Sequence, residues 1–233
     1  MIITSIENPK IKELCKLNDK KGRKREGKFL VEGAHLVKEA KMAGVLLEAF
    51  SLDEREGYTT ISENVMRKLS NTNTVVSEIG VCKMAETAKL SKRILILDGV
   101  QDPGNMGALM RSACAFGFNT IVIGEGSCDI YNDKVIRSSQ GAIFKLSFIH
   151  TNLLDFIPTL EEYSIYGTNV INGIELDSVK LEDKMAFVLG NEGNGVSKEV
   201  QALIGRNLYI PISNTESLNV SVAGGIIMYH LRG

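Results

Sequence analysis

The second half of the chain alternates short apolar runs with helix-like segments, and this pattern constrains the fold most strongly. The apolar runs have the length of strands and are bounded by turn residues. They are Ile94–Asp98, Thr120–Gly124, Phe144–Ile149, Ser164–Thr168, Ala186–Gly190 and Leu208–Pro211. Helices are expected at Met106–Phe116, Asn132–Ser138, Asn152–Leu160, Ser197–Ile204 and Leu218–Leu231. Strands that alternate with helices and are buried on both faces predict a mostly parallel α/β sheet.

The first half has fewer apolar runs and predicts a separate, smaller α/β domain. Helices are expected at residues 8–18, Ala34–Ala43 and Glu63–Leu69, strands at Phe29–Gly33 and Leu46–Leu52, and a polar loop at Lys20–Lys28. The polar segment Lys83–Lys92 is interpreted as the connection between the halves. We therefore expect two domains, at residues 1–88 and 93–233.

Charge is distributed unevenly over a chain whose net charge is only −1. Basic residues predominate before residue 93 and acidic residues after it. The basic excess concentrates in residues 10–28, which contain Lys10, Lys12, Lys16, Lys20, Lys21, Arg23, Lys24, Arg25 and Lys28. Such a cluster is typical of a phosphate-binding surface, although a solvated helix and loop would have the same composition.

Several classes of protein are excluded by what the sequence lacks. No apolar run approaches the ~20 residues of a membrane span, and the first residues do not resemble a signal peptide. The four cysteines and three histidines show no metal-ligand spacing and no disulfide framework. We therefore expect a cytoplasmic protein that binds neither a membrane nor a metal.

Three strand-to-helix turns are the candidate binding sites, because ligands of parallel α/β sheets bind at the carboxyl ends of strands. They are residues 98–107, 189–195 and 210–219. None of these turns is a Walker A loop or a dinucleotide-binding glycine turn, which weakens an ATP or NAD interpretation.

Five polar residues in or near these turns are candidates for chemistry, but each also has an ordinary structural explanation. Asn105 could cap the following helix, and Ser217 or Asn219 could cap the last one. Arg111 has apolar neighbours, so we expect it to be partly buried and to bind an anion. Glu192 could cap or pair locally, for example with Arg111. Singly, each of these assignments stays open.

Together the turns resemble a known family. The segments Asn105–Arg111, Leu189–Val196 and Ile210–Ala223 are similar to the three motifs of the SpoU (TrmH-like) RNA 2′-O-ribose methyltransferases. The segments Asn8–Lys12 and Phe29–Gly33 resemble, less specifically, the ribosomal-protein-like substrate-binding domain that precedes the catalytic domain in many members.

The resemblance implies a C-terminal α/β domain with a deep trefoil knot, a homodimer, and S-adenosylmethionine as cofactor. It implies catalytic roles for Asn105, Arg111, Glu192, Ser217 and Asn219. It places the cofactor against Thr168, Leu189, Gly190, Ile210, Leu218 and Val220. The catalytic half is acidic, unlike that of many relatives, so we expect the basic segment to supply the RNA contacts, at Lys20, Lys21, Arg23, Lys24 and Arg25.

By the same resemblance, Arg111 contacts the ribose hydroxyl or its adjacent phosphate, Asn105 and Glu192 orient Arg111 and the ribose, and Ser217 and Asn219 fix the third turn. The extra N-terminal domain favours structured ribosomal RNA over transfer RNA as substrate. Three alternatives remain: a transfer RNA ribose methyltransferase, a non-catalytic RNA-binding assembly factor on the same fold, and another nucleotide-binding α/β enzyme.

Overall fold

A computed structural model describes residues 2–85, 90–169 and 173–232. The strands in these residues are β1 (Lys28–Glu32), β2 (Leu46–Ser51), β3 (Thr59–Thr60), β4 (Glu78–Lys83), β5 (Arg93–Leu97), β6 (Thr120–Ile123), β7 (Ser147–His150), β8 (Ser164–Thr168), β9 (Ile174–Glu175), β10 (Met185–Leu189) and β11 (Asn207–Tyr209). The helices are α1 (Pro9–Cys15), α2 (Lys20–Glu26), α3 (Ala34–Met42), α4 (Glu63–Leu69), α5 (Pro103–Ala115), α6 (Asp133–Ser139), α7 (Leu153–Phe156), α8 (Lys198–Gln201) and α9 (Val220–His230). None of the described helices is long and apolar enough to cross a membrane.

The chain folds into two compact units, and their division differs from the predicted one. The first unit contains the residues up to Ala85 together with Tyr131–Phe144, and the second contains the remainder. The segment Tyr131–Phe144 includes α6, which packs against β1. The ring centroids of Tyr131 and Phe29 are 4.7 Å apart. The Tyr131 hydroxyl accepts a hydrogen bond from the Ala85 N–H. Of the predicted connection, residues 86–89 lie outside the described residues.

The first unit is built on a four-stranded sheet in the order β1-β4-β2-β3. β4 is antiparallel to both β1 and β2, whereas β3 pairs with β2 in parallel. α1 and α4 pack on one another beside this sheet. Their apolar side chains form one core with those of the sheet, including Ile11, Leu14, Val65, Leu69, Ile79 and Val81.

α2 corrects the predicted loop at Lys20–Lys28. The helix begins where the Asp19 carboxylate accepts a hydrogen bond from the Gly22 N–H at 2.7 Å, and it ends at Gly27, whose φ is 63°. Gly22 resembles loop punctuation in the sequence but lies inside the helix, where a Cβ would come 1.8 Å from the Lys16 carbonyl oxygen. The glycine therefore permits a close helix packing.

The remaining predicted elements are confirmed with shifts at their ends. The sequence predicts none of β3, β4 and β9, because two of these strands have two residues and β4 contains a central glycine. The strand expected from Phe144 begins at Ser147, since Ala142–Phe144 forms a 3₁₀ turn.

The second unit contains the predicted parallel α/β sheet, with seven strands in the order β7-β6-β5-β10-β8-β11-β9 among the described residues. Every pairing in this sheet is parallel. β5 and β10 lie side by side in its middle, and β10 is buried along its whole length. The carboxyl ends of β5, β10, β8 and β11 consequently meet at one edge of the sheet, where the three predicted turns begin.

α5 and α9 pack closely because α9 is rich in small residues. A Cβ on Gly224 would lie 2.4 Å from Leu109 Cδ2 and 2.7 Å from Leu189 Cδ1. Farther along the pair, the Phe116 and Tyr229 rings meet edge to face, with their centroids 5.6 Å apart. α9 also exposes apolar side chains at Val222, Ile226 and Tyr229.

Candidate active site

A cavity of about 730 Å³ opens at the carboxyl ends of β8, β10 and β11. It is lined by the turns that follow these strands and by the first turns of α9. All six residues expected to contact the cofactor lie on its wall, namely Thr168, Leu189, Gly190, Ile210, Leu218 and Val220. The structure thus brings together residues that are up to 52 positions apart in the sequence.

The turn after β10 forms a tight wall of this cavity. Asn191 and Gly195 exchange two backbone hydrogen bonds of 2.9 Å, and the Asn191 side chain accepts a third from the Gly193 N–H. A Cβ on Gly190 would lie 1.9 Å from the Gly195 carbonyl carbon, and Gly195 has a φ of 69°. Only glycine therefore fits at Gly190 without opening the turn.

The remaining wall is mainly apolar. Leu189 and Ile227 are almost fully buried, and Val220 and Leu218 are partly exposed to the cavity side of the unit. Thr168 also lines the cavity, and its hydroxyl donates to the Val188 carbonyl at 3.2 Å. An apolar surface framed by backbone polar groups is suited to a flat, partly polar organic ligand.

Three polar residues from the three turns form a connected chain beside the cavity. The Asn219 side-chain amide donates to Asn105 Oδ1 at 3.0 Å, and the Asn105 amide donates to Glu192 Oε1 at 3.2 Å. Asn219 Oδ1 accepts from the Ser221 N–H at 2.9 Å and so caps α9. The structure therefore joins three of the five expected catalytic residues directly.

Asn105 does not have the capping role that the sequence allowed. Asp102 caps α5 instead, accepting a hydrogen bond from the Asn105 N–H at 2.8 Å. Asn105 is consequently inside the first turn of α5, and its side-chain amide is available to bridge Glu192 and Asn219.

Glu192 connects the second strand-to-helix turn, residues 189–195, to the first one, residues 98–107. Its carboxylate accepts hydrogen bonds from the N–H groups of Gln101 and Asp102, at 3.2 and 3.0 Å, as well as from Asn105. Partial burial acts to raise the pKa of the Glu192 carboxyl, but these hydrogen bonds outweigh it and lower the pKa below its ordinary value. Glu192 is therefore an anionic acceptor near neutral pH.

The expected burial of Arg111 is wrong. Arg111 is exposed, does not line the cavity, and forms no hydrogen bond or ion pair with any residue in the described ranges. Its apolar neighbours Met110 and Ala113 are buried on other faces of α5. At about 100° per residue, adjacent helix positions point in different directions, so apolar neighbours in sequence do not imply burial. The suggested pair between Arg111 and Glu192 is likewise not formed.

Ser217 lies on the cavity wall and is exposed. Its carbonyl accepts a hydrogen bond from the Thr215 hydroxyl at 3.1 Å. The same turn contains Asn214 with a φ of 64°, a left-handed conformation that asparagine tolerates better than most residues. This local geometry directs the chain from β11 into the capped start of α9.

In the basic segment, four of the five candidate RNA contacts are exposed on α2: Lys20, Lys21, Lys24 and Arg25. Arg23 is different, because it is only 7% exposed and its guanidinium donates to the carbonyls of Leu17 and Asn18 at 3.0 Å. These bonds hold α2 to the preceding turn, so the prediction of Arg23 as a solvent-facing phosphate contact is wrong.

The sequence did not single out two side chains that hold the first and second turns together. Asp98 accepts a hydrogen bond from the Ser197 N–H at 2.7 Å, and the Asn191 amide donates to the Gly99 carbonyl at 3.0 Å. Asp98 at the end of a buried strand was the available signal. Lys198, on the cavity wall, was also missed.

Comparison with known proteins identifies the family. The model of the SpoU rRNA Methylase family matches residues 92–229, and that of the MRM3-like substrate binding domain matches residues 8–80. The chain belongs to the SpoU rRNA methylase family. This membership confirms the resemblance carried by the three turns.

Relatives within the SpoU family match over almost the whole chain. A Bacillus subtilis protein named 23S rRNA (guanosine(2553)-2′-O)-methyltransferase RlmP is 36% identical, with 99% of each chain covered. A solved RNA 2′-O ribose methyltransferase is 29% identical, with a TM-score of 0.81 and coverage of 99% and 98%. An AdoMet-bound rRNA methyltransferase from Sinorhizobium meliloti has a TM-score of 0.87, covering 100% and 97%, and its 23% identity supports the fold alone.

Proposed function

We propose that this chain transfers a methyl group from S-adenosylmethionine to a ribose 2′-hydroxyl of ribosomal RNA. The observation that carries the proposal is one cavity, lined by all six expected cofactor contacts, beside the hydrogen-bonded residues Asn219, Asn105 and Glu192. The name of the Bacillus subtilis relative, which specifies 2′-O-methylation of 23S ribosomal RNA, supports the choice of substrate.

The cavity fits the methyl donor in size and in chemistry. Its apolar wall at Leu189, Val220 and Ile227 suits an adenine ring. The close approach of Gly190 to Gly195 leaves this wall without a side chain. The AdoMet ligand of the Sinorhizobium meliloti neighbour is consistent with this assignment.

The cofactor, when bound, supplies a methyl group on a positively charged sulfur, so the reaction needs no further activation of the donor. The residues of the chain have to align the ribose oxygen with that methyl group and favour loss of its proton. No histidine is among the described residues of the cavity wall. Because Glu192 is held as an anion by three hydrogen bonds, we assign it the positioning of Asn105 and not proton abstraction.

We assign Arg111 a contact with the RNA substrate. Its exposed guanidinium, which no described residue engages, presents a planar set of donors that matches a phosphate or a developing alkoxide. Ser217 and Asn219 fix the turn that leads into α9 at the cavity wall. Arg111 therefore acts on the acceptor, whereas Ser217 and Asn219 shape the site of the donor.

The first unit is proposed to hold the RNA substrate. Its match to a substrate-binding domain supports this role, and the exposed cations Lys20, Lys21, Lys24 and Arg25 supply phosphate contacts on one short helix. We retain the functional boundaries of residues 1–88 and 93–233, with Tyr131–Phe144 belonging structurally to the first unit.

We also propose that the catalytic unit is knotted and that the chain is a homodimer. β11 lies between β8 and β9 in the sheet, although β8 and β9 follow one another in sequence. That arrangement supports a knot. The exposed apolar stripe Val222, Ile226 and Tyr229 on α9 supports a second copy as its cover.

The direct test is transfer of labelled methyl from S-adenosylmethionine into unmodified ribosomal RNA and, separately, into transfer RNA. Label in ribosomal RNA that is absent with the Arg111→Ala variant is the expected result. Label only in transfer RNA would replace the substrate. Cofactor binding without label would favour an assembly intermediate as substrate, and absence of both would favour a non-catalytic RNA-binding factor.

A further inference from the structure

Lys198 is a charged residue on the cavity wall, and its side chain has no partner among the described residues. Among the described residues lining the cavity, Lys198 is the one cation and Glu192 the one anion. Glu192 already accepts three hydrogen bonds from the first turn. No residue in the described part of the chain forms a hydrogen bond or an ion pair with the Lys198 ammonium group. The ammonium is therefore available to a ligand in the cavity.

The backbone under Lys198 is held from both sides. The preceding Ser197 N–H donates to the Asp98 carboxylate at 2.7 Å, which ties this segment to the end of β5. The Ser197 hydroxyl accepts from the Val200 N–H at 3.4 Å, and Val200 is 3% exposed in the core. A flexible four-carbon stem on a fixed backbone can direct the ammonium into the cavity.

The other polar side chain that α8 contributes to the cavity is already engaged. Gln201 Nε2 donates to Asn207 Oδ1 at 2.8 Å, which satisfies its donor within the fold. Val196, Gln201 and Ala202 also line the cavity, so residues on both sides of Lys198 face it. Lys198 is thus the group of this segment that remains to recognise a charged ligand.

The proposed methyl donor carries one anionic group, the α-carboxylate of its amino-acid end. A carboxylate that leaves water for a cavity needs a cation or hydrogen-bond donors to offset its lost hydration. We propose that Lys198 binds this α-carboxylate and so selects the intact amino-acid end of the cofactor, an inference that rests on the proposed function of the cavity. An RNA phosphate is the other anion that Lys198 could bind. A lysine that binds RNA, however, does not need to line this cavity.

The test is calorimetric binding of S-adenosylmethionine and of its decarboxylated analogue, which keeps the sulfonium, adenosine and amine. The protein variants are Lys198→Met, which removes the charge, and Lys198→Arg, which keeps it. Lys180→Met is the matched control, because Lys180 is an exposed lysine of the same unit that does not line the cavity. Thermal unfolding verifies that each variant is folded.

We expect Lys198→Met to bind S-adenosylmethionine about three- to tenfold more weakly, the range between an exposed and a partly desolvated ion pair. Its affinity for the decarboxylated analogue should be unchanged, and Lys198→Arg should retain most of the affinity for S-adenosylmethionine. Unchanged affinity for both ligands, or an equal loss for both, would overturn the proposal, as would a loss confined to RNA binding. Failure of the unaltered protein to bind either ligand would instead reject the cofactor assignment itself, and the carboxylate contact with it.

Discussion

The contact between the first and second strand-to-helix turns depends on the Glu192 carboxylate. It accepts from two backbone N–H groups, of Gln101 and Asp102, and from the Asn105 amide, which in turn meets Asn219. Backbone N–H groups left without an acceptor would have to turn to water, so loss of this carboxylate loosens the first turn. One side chain thereby sets the position of Asn105.

The lowered pKa of Glu192 predicts the direction in which this contact responds to pH. A carboxyl whose pKa is lower in the folded protein adds stability above its ordinary pKa and loses it as pH falls through the lowered value. We expect Glu192→Gln to lower the melting temperature at neutral pH and to differ less from the unaltered protein below about pH 4. Thermal unfolding across pH measures both, and a difference that grows in acid would contradict this assignment.

The position of Arg111 outside the cavity predicts that its substitution lowers the rate of methyl transfer but leaves cofactor affinity unchanged. Lysine keeps the charge but loses the planar set of donors, so Arg111→Lys should lower the methyl-transfer rate roughly 10- to 100-fold. Cofactor affinity should be unchanged, because Arg111 does not line the cavity. Single-turnover rates and calorimetry on the same preparation provide the two values. A near-normal rate would remove Arg111 from the chemistry.

At the scale of elements, the packing of α9 on α5 determines the shape of the cavity wall. α9 contributes Val220 and Ile227 to the cavity, while its Gly224 lies against Leu109 and Leu189. At the far end of the helix, the Arg93 guanidinium donates to the Leu231 carbonyl at 3.0 Å and to the carbonyls before β10. Movement of this helix would therefore change the cavity as well as the core.

Two adjacent glycines of α9 provide a matched test of this packing. Gly224→Ala would place a Cβ 2.4 Å from Leu109 Cδ2 and should cost about 1–3 kcal/mol by overpacking, with weaker cofactor binding. In Gly225→Ala the nearest atom, Ser112 Oγ, would lie 3.5 Å from the new Cβ, an ordinary contact. This control should be neutral or stabilising because alanine favours helix. Urea unfolding measures both, and equal effects would contradict the close packing.

α2 predicts a salt-dependent contribution to RNA binding. Changing Lys20, Lys21 and Lys24 to glutamate should weaken RNA binding and flatten its dependence on salt concentration. With fewer phosphate contacts, RNA binding releases fewer counterions. Cofactor affinity should not change. Fluorescence anisotropy with a ribosomal RNA fragment over a salt series measures the slope.

The control for that series is charge reversal of exposed lysines elsewhere in the same unit, Lys38, Lys41 and Lys83. An equal effect of both triple variants would reduce the α2 prediction to a general charge effect. Arg23→Met separates structure from binding, since its bonds to the Leu17 and Asn18 carbonyls predict a loss of stability.

For the whole molecule, the sequence predicts the parallel sheet and the location of the site, because both follow from periodicity and from the carboxyl ends of strands. It does not predict contacts made across long separations. The bridge from Asn105 to Asn219, the burial of Arg23 and the exposure of Arg111 depend on helix phase and packing. Local residue type could therefore name the candidate residues but not their partners.

The assignment of Tyr131–Phe144 to the first unit means that no single cut separates the two units. A fragment ending at Ala85 would leave the Phe29 ring without the Tyr131 and Phe144 rings that it meets, at centroid distances of 4.7 and 6.4 Å. Exchanging the RNA-binding module between relatives consequently requires two transplanted segments. A graft of the first segment alone should be poorly soluble, whereas one that also carries residues 131–144 should fold.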